Sequence, residues 1–128
     1  PREFPDSFCS MRTEIAARPG EDLVLWYVLR FRCPEPMRLA ALVGYDGPFK
    51  AWIDGRLLLH DPKGTNPAVP DSKTLRFAAA RGEHRLAMAL GTNGGRAWGI
   101  FITLQRFDIP RKILLRDDPS LYRMPEIL

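Results

Sequence analysis

The sequence predicts an all-β chain, an antiparallel two-sheet jelly-roll sandwich of about eight strands. Three observations predict it. Short alternating apolar and polar runs recur with a turn signal about every eight to twelve residues. Two Asp-Gly steps, Asp46-Gly47 and Asp54-Gly55, bracket a run in which Phe49, Ala51 and Ile53 alternate with Lys50 and Trp52. Asp-Gly between alternating runs signals a hairpin, because both residues accept a positive φ, so a three-strand meander is expected here. No stretch carries a convincing helical period.

The elements follow in order. Residues 1–10 carry Pro1, Pro5 and Cys9 without a clear period and are expected as an entry segment on the surface. Met11 to Ala17 is expected as a first short strand, ended by Pro19-Gly20. From Asp22 to Arg32, Leu23, Leu25, Tyr27, Leu29 and Phe31 share one face, and Val24, Trp26, Val28, Arg30 and Arg32 the other. That strand is apolar on both faces at its start and wetter towards its end. Cys33-Pro34-Glu35-Pro36 breaks it, since neither proline donates to a ladder.

Met37, Leu39, Ala41 and Val43 then mark the strand that leads into the Asp-Gly region. Beyond Asp61, Pro62, Pro67 and Pro70 exclude regular structure but stiffen a loop longer than the usual connection. Thr74 to Ala80 and Glu83 to Leu90 are expected to pair across Arg81-Gly82, with Leu75, Phe77, His84, Leu86 and Met88 inward. A glycine-rich connection, Gly91 to Arg96, leads to a last strand, Ala97 to Phe107, which Pro110 stops. The domain division is therefore an entry segment at 1–10, a sandwich at 11–110 and a tail at 111–128. The tail either packs on the sandwich or leads to a neighbouring domain.

The bulk composition narrows the function. At 128 residues, 45% of them hydrophobic, the chain is long enough to close one core. The net charge is +4 and the pI about 9.5, which invites a nucleic-acid reading. However, the basic residues are scattered: Arg30, Arg32, Arg38, Lys50, Arg56, Lys63, Arg76, Arg85 and Arg106 mostly fall on alternate strand positions. That pattern describes a solvated sheet face, so no nucleic-acid partner is expected. The opening Pro-Arg-Glu-Phe has neither Met nor an apolar run. No signal peptide or membrane span is expected, and the chain reads as a segment of a longer protein. Cys9 and Cys33 lack metal-ligand spacing and leave both a disulfide and free thiols open.

Catalytic motifs are missing. Ser7, Ser10, Ser72 and Ser120 with His60 and His84 form no G-x-S-x-G elbow, and there is no H-E-x-x-H or phosphate loop. Asp46, Asp54, Asp61 and Asp71 could pair as the two carboxylates of a glycosidase, but most sit where Asp caps its own backbone in a turn. No enzyme active site is expected within the chain.

The residues then resemble a known family. Asp46-Gly47, followed by Trp52-Ile53-Asp54-Gly55, fits the D-G-x-x-x-x-W-x-[ND]-G strand–turn–strand of galactose-binding-like jelly-roll domains. These domains accompany bacterial glycoside hydrolases. Trp26 to Phe31, Glu83-His84-Arg85-Leu86 and Trp98-Gly99-Ile100-Phe101 are similar to their other strands, so the likeness spans residues 22–107. It implies a non-catalytic carbohydrate-binding ancillary module of a larger glycan-active protein. The alternative is a structural or docking sandwich with no ligand of its own. Protective-antigen-type lectin domains share the pattern loosely, but their metal site has adjacent aspartates where this chain has Tyr45-Asp46. Asp46, Asp61 and Asn66 are oxygen donors of the kind calcium takes, without a calcium-loop spacing. No cofactor is expected, and calcium is left open.

A sugar presents apolar ring faces and hydroxyl edges, so its site needs an aromatic platform with polar groups around it. Two loops supply such groups, one with Asp61, Lys63, Thr65 and Asn66, the other with Asn93, Arg96 and Trp98. Two strands lie between them, which brings both loops to the same end. Tyr45, Asp61, Asn66, Asn93, Arg96 and Trp98 are the expected carbohydrate contacts. Against this, Asn66-Pro67 and Asn93-Gly94 are ordinary turn formers, and Trp98 could be core. Trp52 is either an exposed platform or, in its family place, packed beneath a loop. The expected partners are a carbohydrate and a neighbouring domain of the same polypeptide. The location would be extracellular or periplasmic if the parent is a secreted glycosidase.

Overall fold

A computed structural model describes residues 3–128. It is the antiparallel two-sheet sandwich that the sequence predicts. The chain runs β1 (Phe8–Ser10), α1 (Arg12–Ala16), β2 (Val24–Cys33), β3 (Met37–Tyr45), β4 (Phe49–Ile53), β5 (Arg56–Asp61), β6 (Lys73–Ala79), β7 (Gly82–Gly91), β8 (Gly99–Arg106), α2 (Arg111–Leu114) and β9 (Glu126–Ile127), with a 3₁₀ turn at Pro119–Leu121. One sheet has the order β1-β8-β3-β6, the other β5-β4-β7-β2-β9.

The core lies between the sheets. Leu25, Tyr27 and Phe31 of β2, Phe49, Ala51 and Ile53 of β4, and Leu86, Met88 and Leu90 of β7 face inward from one sheet. Leu39, Ala41, Val43 and Tyr45 of β3, with Leu75 and Phe77 of β6 and Ile100 of β8, face them from the other. This is period-two alternation on both sides of one apolar layer, each large side chain contributing about 1.5–3 kcal/mol. Ring contacts join the layers: Tyr45 stacks on Phe49 at 4.3 Å, and Phe31 meets Phe77 at 6.4 Å.

Several local expectations are corrected. Met11 to Ala17 is not a strand: the Met11 carbonyl accepts the Ile15 N–H, and the chain turns as α1 with Ile15 buried. The apolar pair Met11 and Ile15 has helical spacing, too short to read against a strand. The first strand is instead Phe8–Ser10, inside the expected entry segment, where it pairs with β8 as a sheet edge. Pro1 and Arg2 of that segment lie outside the described residues.

The three-strand meander is also corrected. Asp54 (φ 47°) and Gly55 (φ 82°) make a tight β4–β5 turn, but Asp46 and Gly47 do not join β3 to β4 as a hairpin. Those two strands belong to different sheets. The Asp46 carboxylate instead accepts the N–H groups of Trp98 (2.9 Å) and Gly99 (3.2 Å), and the chain crosses the sandwich. Likewise β6 and β7 do not pair: β6 pairs with β3, and β7 lies between β2 and β4. Their apolar rows face the core from opposite sheets instead of lying side by side.

The scattered basic residues are largely exposed, apart from half-buried Lys50 and from Arg106. Its side chain is 8% exposed and held by Asp108 (2.7 Å) and Glu35 (3.0 Å). It also donates to the Arg123 carbonyl, and Leu128 N–H donates to the Arg30 carbonyl, so the tail is hydrogen-bonded to the sandwich. Cys9 and Cys33 are both free thiols, and burial pushes both upward from their ordinary pKa.

Candidate functional site

Two surfaces carry ligand-type chemistry, one at a loop end of the sandwich and one on a sheet face. The first is the loop end that the sequence singles out. The loop after β5 is stiffened by its prolines and pinned along its length. Gly64 N–H donates to Asp61 Oδ1 (2.9 Å), Thr65 Oγ1 to the Tyr45 carbonyl (2.7 Å) and Asn66 Nδ2 to the Asp46 carbonyl (3.1 Å). Gly64 is required where it stands: its φ is +67°, and a Cβ there would strike the Gly47 carbonyl. Opposite, the loop after β7 hangs from buried Thr92, whose hydroxyl accepts the Leu23 N–H at 2.8 Å. Asn93 (φ 51°), Gly94 and Gly95 turn the chain back, and the N–H groups of Gly95 and Ala97 both donate to the Thr92 carbonyl.

The two loops meet. Lys63, Thr65 and Asn66 face Asn93 and Arg96 across a polar cleft of about 510 Å³. Trp98 lies beside it, 41% exposed, lining an adjoining depression of about 330 Å³ with Phe8, Asn66, Arg96 and Phe101. Its indole N–H donates to Gly95, and the Arg12 guanidinium sits 4.5 Å from the ring centroid. So Asn66, Asn93, Arg96 and Trp98 share one end of the molecule. Tyr45 and Asp61 have other duties. Tyr45 is fully buried, and its hydroxyl donates to Asp61 Oδ2 at 2.7 Å, so its ring offers nothing to a ligand. The Tyr45 hydroxyl and the Gly64 N–H hold the Asp61 carboxyl below its ordinary pKa.

The second surface is one that sequence reading did not assemble. On the outer face of the five-stranded sheet, register sets Trp26, Ala89, Lys50 and His60 in one row. Val28, Ala87, Trp52 and Leu57 form the next. Beside these rows the central strand β7 carries only the small residues Ala87, Ala89 and Gly91, its larger outward residues Glu83 and Arg85 lying further along, so nothing fills the space between its neighbours here. The indoles of Trp26 and Trp52 lean together across those alanines, centroids 5.6 Å apart and planes within 25°. From the pair a trough of about 370 Å³ runs over Ala89 and Gly91 towards Val24, Pro48 and Pro62. Trp26 and Val24 are each 60% exposed. Lys50 Nζ stands 5.8 Å from the Trp52 centroid, and His60 and Asp61 complete the rim.

Trp26 and Trp52 sit on separate strands 26 positions apart in the chain, and only their sheet order makes them a pair. The available signal was the outward alternation of each strand together with the small outward residues of β7. An aromatic floor with amine and imidazole groups at its edge can hold a ligand that has a flat apolar face and polar edges. The carboxylates of Asp46, Asp54 and Asp61 each accept backbone N–H bonds. Among the described residues no three His, Cys, Asp or Glu side chains gather as metal ligands, and no helix is long and apolar enough to cross a membrane.

No protein-family model matches the chain, and no curated protein matches it in sequence. Solved structures do match in fold. A selenomethionine-labelled β-glucosidase from Kluyveromyces marxianus superposes with a TM-score of 0.64 at 10% identity, over 94% of this chain. The β-glucosidase from the same yeast in complex with glucose gives 0.58 at 12% identity, over 77% of this chain. The match spans only 16% and 12% of those chains, respectively. The chain therefore shares its fold with a part of a glycosidase.

Proposed function

We propose that this chain is a non-catalytic carbohydrate-binding module of a larger glycan-active protein, and that its ligand stacks in the Trp26–Trp52 trough. The paired indoles carry the reading. Two neighbouring aromatic faces on a solvent-exposed sheet are costly to leave in water, and a pyranose ring's apolar face suits them. Lys50 and His60 stand where the ring's hydroxyl edge would lie. The likeness in fold to part of a β-glucosidase supports the setting, a module beside a catalytic domain.

The test is binding of the chain to soluble xylan, galactan, mannan and mixed-linkage β-glucan, followed by calorimetry and tryptophan fluorescence. At least one is expected to bind, and Trp26→Ala or Trp52→Ala to weaken it by about tenfold or more, that is about 1.4 kcal/mol. Absence of binding to the whole panel, or unchanged binding in both variants, overturns the reading.

A second reading, a docking sandwich without a ligand, rests on the tail. Leu114, Leu115, Leu121 and Met124 are all exposed there, Leu115 by 72%. Under that reading they would pack on a neighbouring domain of the same polypeptide.

A further inference from the structure

Three strand ends place the trough and the loop cleft in line. The trough is rimmed by Pro48, Pro62 and Gly91, and the cleft by Gly47, Lys63 and Asn93. Gly47 and Pro48 are successive residues, as are Pro62 and Lys63, while only Thr92 separates Gly91 from Asn93. The start of β4 and the ends of β5 and β7 thus each leave the trough and enter the cleft. The ridge between them is low. Gly47 has no side chain, and its backbone is packed against Gly64 on one side and Gly91 on the other. Gly91 N–H donates to the Pro48 carbonyl at 2.8 Å, which holds that crossing in place.

The two surfaces differ in chemistry as the halves of one track would. The trough floor is aromatic and aliphatic, with Lys50, His60 and Asp61 at its rim; the cleft carries Lys63, Asn66, Asn93 and Arg96. Among the described residues neither Lys63 nor Arg96 has a side-chain ion pair, so their donors are open to hydroxyls. The Asp46 carboxylate beneath the cleft is already taken by the Trp98 and Gly99 N–H groups. Rings stacked on the indoles would have their chain continuation led over the Gly47–Pro48 ridge into hydrogen-bonding groups. Among the described residues nothing closes the trough around a single terminal sugar.

We propose that trough and cleft form one continuous track, so that the module binds internal stretches of a linear polysaccharide rather than a chain end. This rests on the trough reading above. Rings on Trp26 and Trp52 supply apolar contact, and Arg96 and Lys63 hold hydroxyls of rings further along the same chain.

The experiment compares disaccharides and hexasaccharides of xylan, cellulose and mannan by calorimetry, with the hexasaccharides also reduced at one end. A hexasaccharide is expected to bind about tenfold or more tightly than its disaccharide, and end reduction to change nothing. Arg96→Gln combined with Lys63→Gln is expected to remove the gain with length, and Trp26→Ala to weaken both lengths. Equal affinity for the two lengths, loss of binding on end reduction, or a length gain that survives the double variant overturns the proposal. If Trp26→Ala still weakens binding in those cases, the trough reading stands and only the track falls. If no oligosaccharide binds, the track falls, and the polysaccharide panel decides the trough.

Discussion

Tyr45 Oη donates to Asp61 Oδ2 across 2.7 Å while the Tyr45 ring stacks on Phe49 at 4.3 Å, so one buried residue joins β3, β4 and the end of β5. Burial, followed by the bond to the Asp61 carboxylate, pushes the Tyr45 hydroxyl above its ordinary pKa, and it stays protonated. Tyr45→Phe keeps the stack and removes the bond. Urea unfolding at neutral pH is expected to show a loss of about 1–2 kcal/mol, the range for a hydrogen bond to a partly solvated charge. Because the Asp61 pKa is lowered in the fold, its contribution is present above 3.8 and disappears as pH falls through the folded value. Tyr45→Phe should therefore also flatten the acid side of the stability curve.

The pair His84 and Asp54 predicts a pH window. His84 Nδ1 lies 2.6 Å from Asp54 Oδ2 and Nε2 lies 2.7 Å from the Ala80 carbonyl, two acceptors that a protonated ring satisfies together. Burial opposes the charge, but the Ala80 carbonyl and Asp54 outweigh it, and the His84 pKa rises above 6.5. For Asp54, burial raises the value and the bonds to His84 and the Arg85 N–H more than reverse it, leaving it below 3.8. A raised histidine stabilises fully below 6.5 and loses that contribution as pH climbs through the folded value. A lowered aspartate stabilises above 3.8 and loses it as pH drops through its folded value. Thermal unfolding across pH is expected to peak between these limits. His84→Gln should remove the alkaline fall specifically.

Asp46 predicts a stability cost in a residue that looks like a turn former. Both its oxygens accept N–H groups at the start of β8, and the residue is 8% exposed. Asp46→Ala strands two buried donors and is expected to cost about 2–4 kcal/mol in chemical denaturation. Asp46→Asn, which keeps one acceptor, should cost less. Equal losses in the two variants would show that the N–H bond the asparagine retains contributes nothing.

Trp26 predicts the opposite separation. With 60% of its surface exposed, Trp26→Ala is expected to shift unfolding by less than about 1 kcal/mol, since little is uncovered. The same variant should change the emission of Trp52, its stacking partner at 5.6 Å. A large drop in stability would mark the indole as structural cover for the sheet, not as a platform.

How much of this was legible follows from which interactions are local. The alternation of Leu25, Tyr27 and Phe31 against Val24, Trp26 and Val28 assigned the faces of β2 correctly, because strand periodicity is a property of adjacent residues. The Asp54-Gly55 turn was legible for the same reason. Asp46-Gly47 carries the same two residue types and yet makes no hairpin, because its carboxylate is claimed by Trp98 and Gly99 more than fifty positions away. The α1 segment was misread because one short helical turn has too few residues to display a period.

The sequence by itself determined the fold class, the inward and outward sides of the long strands and the meeting of the two loops. It did so because alternation and turn chemistry act within a few residues. Only the tertiary structure decided which strands are neighbours. That placed β6 and β7 in different sheets, turned Tyr45 and Asp61 into braces, and set Trp26 beside Trp52 across the alanines of β7. The physical reason is that a turn reverses the chain without stating which sheet it returns to. That choice is made by how the apolar rows bury one another, a sum over residues far apart in sequence.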